Sequence, residues 1–382
     1  MPVTSEVKQK IIGIVTLLIV FTILGSLFIS GRPQNTALAS YEAQAQIIFE
    51  DAKNQFEYIR NVTLPLNITL FVYTKQQAIE RWGKASSDLS TSNILRQEAI
   101  YKSLFLIAEN DNLSDALVNW ISSWTAVSFG NEIYVIYENF WPWDMPTAEA
   151  VLIHELTHVW QSGLPSPDNY DVSRAYNALM EGDAVYMEEY YKAQYTNNNG
   201  SGRPISDDSH VLSDFLLLDS VYFGVSDAVA ELHLFPYVKG REFVAAIIDN
   251  GGWDMLNQCY SSVCAPSSTA HILHFDKYLA DDAASLVFVP TPVDDGWVRV
   301  SSSYGNPSDT FGEYFIYVML GHWLDDNRVQ EVAAGWCGDS FSYYEQANDD
   351  YLFVWNITWS SIQAASDFNR AFVDMLNLAE AD

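Results

Sequence analysis

The sequence predicts an α+β fold: a small N-terminal sheet, a buried helix that carries the chemistry, and a mostly helical C-terminal lobe. Three observations predict it. Leu66–Tyr73 and Thr125–Tyr137 are β-branched, alternating stretches, the second with a turn signal at Gly130-Asn131. Val151–Gln161 follows, with apolar residues at helical spacing. From Ser173 onward helical patterns prevail.

Residues 11–30 carry no charge and are long enough to span a bilayer. Lys8 and Lys10 precede them, which places residues 1–10 in the cytoplasm and everything after Gly31 outside. Twenty apolar residues favour a retained transmembrane anchor, and Ala37-Leu38-Ala39 is the site that cleavage and secretion would use. Either way the main body is expected outside the cytoplasm, at the cell membrane or released from it. Residues 31–40 form a short linker, 41–200 a first lobe, and 201–382 a second, with a polar seam at 201–209.

Within the first lobe, residues 41–59, Lys75–Trp82 and Ile94–Glu109 have helical spacing, and so does Ser173–Tyr195. In the second, helices are expected over Val211–Leu234, Val238–Asp249, Gly312–Asp325, Asn327–Ala334 and Ser361–Leu378. A short strand is expected near Leu286–Val289. Aromatic groups such as Tyr351–Trp359 suit core packing and cleft lining, since 14% of residues are aromatic and many must be buried.

The balance of 19 Lys plus Arg against 49 Asp plus Glu, a formal charge of −30, repels polyanions and excludes a nucleic-acid partner. Hydrophobic content of 49% excludes general disorder. Cys259 and Cys264 are close enough in sequence for a small disulfide, leaving Cys337 over.

The chemistry-bearing stretch is His154-Glu155-Leu-Thr-His158. Two imidazoles four residues apart share one helical face and reach one metal ion, and Glu155 leans over the metal's open position. Asp144 or Thr147 offers a cap, Pro146 suits the first turn, Glu149 favours the positive helix end, and Gly163 and Pro165 stop the helix. Burying two imidazoles and a carboxylate is costly unless something compensates them, as a metal does. A helix whose histidines only hydrogen-bond within a core is the alternative.

A third ligand is needed. Gln161 and Leu164 stand where the metzincin pattern requires glycine and histidine. Glu181-Gly182-Asp183-Ala184, 23 residues after His158, matches the E-x-x-A form on the following helix. Gly182 disfavours a helix interior, and close packing against the motif helix would explain it.

At His154, Glu155, His158 and Glu181 the chain resembles the gluzincin-type zinc metallopeptidases. The resemblance implies a zincin-like lobe with Zn2+ on His154, His158 and Glu181. It implies Glu155 as general base for a zinc-activated water that attacks a peptide or protein substrate. One departure stands out: thermolysin-like enzymes place an aspartate four residues after the ligand glutamate, and Val185 is there instead. Asp183 points away from Glu181 on a regular helix, so no partner is assigned to orient a ligand histidine.

The chain is also similar, over roughly residues 120–345, to a group of membrane-anchored bacterial and archaeal HExxH proteins. These pair H-E-L-T-H-x-x-Q and E-G-D-A with later segments, here Gly251-Gly-Trp253, Pro266-Ser-Ser-Thr269, Ile272-Leu-His274, Gly312-Glu313 and Ala334-Gly-Trp336. That likeness makes the C-terminal half the far wall of a cleft. His274 then either stabilises the tetrahedral oxyanion or braces the Ser267–Leu279 segment. Glu313 and Asp339 are read as structural hydrogen-bonding acids, and His210, His233, His271 and His322 have no assigned role. Glu132–Tyr137 precedes the motif helix as the substrate-pairing edge strand of zincins does, and if exposed it would bind a peptide by strand addition. Two other functions stay open. One is an inactive, metallopeptidase-like ectodomain acting as a cell-surface binding or assembly subunit. The other is a hydrolase built on facing carboxylates such as Glu181 and Glu313.

Overall fold

The computed structural model describes residues 34–83, 88–198, 226–261, 263–292, 296–347 and 350–380. The expected anchor at 11–30, the seam at 201–209, His210 and the first part of the Val211–Leu234 helix lie outside them. Among the described residues no helix is long and apolar enough to cross a membrane. The fold is mixed α and β, mostly helical, with two small sheets among the described residues. The chain divides into two compact units, residues 1–48 and 49–382, and the boundary falls within helix α1 (Gln34–Arg60).

In the second unit, β1 (Thr69–Tyr73) leads through a Thr74–Gln77 capping box into α2 (Lys75–Trp82). Then come α3 (Asp88–Ser103) and α4 (Leu113–Ser123), the latter started by the Asn112 side chain accepting from the Ser114 and Asp115 amides. Strands β2 (Ala126–Phe129) and β3 (Glu132–Ile136) form the expected hairpin, with Gly130 at φ +59°. β1 pairs parallel with β3, giving the order β1-β3-β2.

That order corrects one expectation. β3 is the central strand, with Ile133, Val135 and Ile136 wholly buried, so it has no open edge for a peptide. The edge strand beside the motif helix is β2. The reason is the parallel crossover: α2 to α4 bring β1 against β3 and leave β2 outside.

The motif helix is α5 (Met145–Trp160). Asp144 holds the N-cap position without a side-chain cap bond, so Pro146 and not a cap marks the start. Gly163 (φ +98°) turns the chain away, and a Cβ there would lie 2.6 Å from the Tyr260 carbonyl oxygen. α6 (Tyr170–Asn198) crosses α5, and α7 (Asp227–Cys259) crosses α6. Pro236 sits inside α7 and cannot donate to the Leu232 carbonyl four residues back; the Arg174 guanidinium on α6 donates to that carbonyl instead.

Gly182 has a reason to be glycine, but it is α7, not the motif helix. A Cβ on it would lie 2.2 Å from the Gly240 carbonyl, and a Cβ on Gly240 would lie 2.0 Å from the Ala178 oxygen. The α6–α7 crossing is a backbone-to-backbone contact.

The remaining elements are α8 (Thr269–Leu273), α9 (Phe275–Leu279), β4 (Val298–Val300), α10 (Gly312–Gly321), α11 (Asp326–Ala333), β5 (Trp336–Glu345), β6 (Tyr351–Trp359) and α12 (Ile362–Ala379). β4, β5 and β6 make an antiparallel sheet that the helical reading of this lobe did not anticipate. Its signal was present: Phe353, Trp355, Ile357 and Trp359 alternate at the strand period and pack against the core around α10. The expected strand at Leu286–Val289 does not form; Leu286 and Phe288 are exposed there. No disulfide forms either: all three cysteines are free, and buried Cys259 lies 3.1 Å from the Tyr278 hydroxyl.

Burial lifts several carboxylates above their usual range, Asp171 and Glu149 among them. Burial pushes Asp171 up to about 8; hydrogen bonds from Thr269 oppose this, and Asp339 and Glu313 add to it. Burial raises Glu149 to about 7, where its carboxyl takes the Tyr191 hydroxyl and ties α5 to α6. The folded chain therefore holds protons that the unfolded chain releases. Their stabilisation is complete below the unfolded carboxylate range and is lost as pH rises through about 7 to 8. Urea midpoints are expected to fall between pH 5 and pH 8.5. Glu149→Gln and Asp171→Asn should each flatten the decline, and an unchanged slope in both would contradict this assignment.

Candidate metal centre

The centre is built where α5 and α6 cross. His154 and His158, one turn apart on α5, face Glu181 on α6, and all three are the described residues' one cluster of metal-ligand type. His154 Nε2 and His158 Nε2 are 3.2 Å apart, and Glu181 Oε2 lies 3.5 and 3.3 Å from them. Three donors bound tetrahedrally at zinc–nitrogen and zinc–oxygen lengths stand about 3.3 Å from one another. The triangle has the edges of one face of such a site.

Hydrogen-bond bookkeeping says what belongs in it. His158 Nδ1 is 3.0 Å from Gln161 Oε1, which only accepts, so Nδ1 carries the proton and Nε2 of a neutral ring carries a lone pair. His154 Nδ1 is buried with no hydrogen-bond partner among the described residues, but Glu188 Oε2 lies 3.4 Å away, and its charge favours the proton on Nδ1 and the lone pair on Nε2. Glu181 Oε2 is buried with no hydrogen-bond partner among the described residues. Three lone pairs thus converge on one point, which is repulsive unless protons or a cation lie between them. In the protein alone, burial pushes both imidazoles toward neutrality, but the Glu181 carboxylate (joined by Glu188 at His154) outweighs it and raises both. Against the burial that would raise them, the same pairs hold Glu181 far below the carboxylate range and Glu188 at about 2. The donor set of two imidazole nitrogens and one carboxylate fits Zn2+.

Glu155 is buried beside this point. Burial raises its pKa, while the two histidines and the neighbouring Ser128 on β2 pull it down. On α7, Tyr237 lies in the field of Glu181 and Glu155; burial first, then these two carboxylates, puts its pKa well above the ordinary phenol. One turn earlier, His233 packs edge-on to Trp120, and its Nε2 is buried with no partner among the described residues. Burial, followed by Arg174, pulls its pKa down to about 3, so the ring is neutral.

The sequence thus placed His154, Glu155, His158 and Glu181 together. His274 sits elsewhere in the hydrogen-bond network: its Nε2 is 2.5 Å from Glu313 Oε1, and Lys277 Nζ is 3.2 Å from Oε2 of the same buried glutamate. That is the bracing role, with His274 at the joint of α8 and α9. Asp339 is structural too, accepting from the Phe311 and Gly312 amides and from the Trp336 and Trp355 indoles. Glu188, Gln161, Tyr237 and His233 were not assigned. Each had a spacing signal: Glu188 lies seven residues after Glu181, Gln161 three after His158, and Tyr237 four after His233.

Cavities of about 890 and 610 Å³ are lined by none of these residues. Comparison with known proteins gives one family match, to a domain of unknown function, DUF8575, over residues 299–382. It spans β5, β6 and α10 to α12 and leaves the cluster outside. No curated protein and no solved structure matches the chain.

Proposed function

We propose that the chain is a zinc-dependent, gluzincin-type peptidase with His154, His158 and Glu181 as metal ligands. The observation that carries this reading is the lone-pair triangle with edges of 3.2 to 3.5 Å beside a buried glutamate. Zinc held there supplies a Lewis acid that activates water and polarises the scissile carbonyl. Glu155, its pKa raised by burial, takes a proton from the attacking water and delivers it to the leaving amine. The Tyr237 hydroxyl, not His274, is the donor available to a developing oxyanion. An extended peptide adding to the edge of β2 would pass Glu155, because Ser128 on that strand lies beside it.

The facing-carboxylate hydrolase is disfavoured by geometry. Both oxygens of Glu313 are engaged by His274 and Lys277, and the motif histidines face Glu181. The binding-subunit reading requires a blocked or unused centre. An extracytoplasmic, membrane-anchored location follows from residues 8–31 of the sequence and is part of the same proposal.

The test is cleavage of a mixed-sequence peptide pool by the purified chain, followed by mass spectrometry. Cleavage that a chelator abolishes and added zinc restores supports the reading. A zinc-loaded chain that cleaves no peptide leaves the binding subunit as the better account.

A further inference from the structure

The geometry points to a positioning residue distant in sequence from the motif. We propose that Arg60 fixes His158 in its metal-binding tautomer, acting through Asp183 and Gln161. The inference rests on the reading of His154, His158 and Glu181 as a metal centre.

Arg60 is the last residue of α1 and is 2% exposed. Its guanidinium lies between the rings of Trp160 and Trp253, 4.6 and 4.5 Å from their centroids. Nη1 and Nη2 donate to Asp183 Oδ1 and Oδ2 at 2.5 and 2.9 Å, and Nε and Nη2 reach Asn257 Oδ1 at 3.3 and 3.1 Å. This is a planar, two-pronged clasp that only arginine makes. Asp183 is wholly buried, and its Oδ2 also accepts from the Tyr260 hydroxyl at 2.6 Å.

The consequence reaches the metal side through Gln161. Its Nε2 donates to the Met180 carbonyl and the Tyr260 hydroxyl, both at 2.8 Å, and leans on Asp183 Oδ2 at 3.4 Å. Acceptors on that side force the amide oxygen to the other, where it takes the His158 Nδ1 proton at 3.0 Å. A reversed amide would set its NH2 against Nδ1, favour the Nε2–H tautomer and remove the lone pair from the triangle. Arg60 holds Asp183, Asp183 and Tyr260 hold the amide, and the amide selects the tautomer. The chain of contacts also accounts for glutamine three residues after His158 and aspartate two after Glu181. Asp183 points away from Glu181 because it serves His158 from behind.

The test is zinc affinity of the purified full chain, by competition with a chromophoric chelator, for wild type, Arg60→Lys, Gln161→Met and the double variant. Each single change is expected to weaken binding about 10- to 100-fold. The double variant should be no weaker than Gln161→Met, since both act on one path. The cobalt-substituted proteins should show the same altered visible spectrum in both single variants. Gln161→Met leaves the Arg60–Asp183 clasp intact, so it decides the matter even where Arg60→Lys fails to fold; unchanged zinc affinity in it overturns the proposal. Losses that multiply in the double variant also overturn it, as does an Arg60→Lys chain that is less stable yet binds zinc as wild type does. Wild type that binds no zinc would instead remove the metal-centre reading, and this inference with it.

Discussion

Glu155→Gln is expected to lower peptide hydrolysis by about a thousandfold while leaving zinc bound, because the change removes a general base and no ligand. Glutamine has nearly the shape of glutamate, so the buried site need not rearrange. Burial already opposes the charged form of Glu155, so the folded chain should lose little stability. The measurement pairs turnover on the best substrate with zinc content of the same sample. Loss of both together would mean that Glu155 is structural. Retention of turnover would mean that the proton is taken elsewhere.

Gly182→Ala should be strongly destabilising. Alanine usually stabilises a helix interior by about 0.5 to 1 kcal/mol relative to glycine. Here the added Cβ falls 2.2 Å from the Gly240 backbone, and no side chain can swing aside to admit it. The crossing of α6 and α7 must open, with a cost of about 3 kcal/mol. Glu181 is the adjacent residue and moves with the backbone, so zinc affinity should fall as well. A urea titration with and without zinc reads both effects. A more stable Gly182→Ala variant would show that the two helices do not touch as described.

The four central residues were legible because their chemistry is encoded at helical spacing, where sequence separation fixes the shared face. The hairpin at Gly130 was legible for a similar reason, since a tight turn has local signals. What failed was non-local. Whether β3 is central or an edge depends on where β1 returns after three helices, and nothing within Glu132–Ile136 states it. The role of Gly182 was visible as a need for close approach, but the partner, Gly240, lies 58 residues on. Arg60 is 123 residues from Asp183. His274 carried two readings, oxyanion stabiliser and brace, because the resemblance placed it on a cleft wall; the pairing with Glu313, 39 residues on, supports the brace.

Elemental analysis of the purified chain beside its Glu181→Ala variant decides whether the three-ligand zinc site exists. About one zinc per wild-type chain is expected, and none, or a weakly held ion, in the variant. A wild-type chain without zinc after dialysis against micromolar zinc would contradict it. So would a variant that keeps the metal as firmly as wild type.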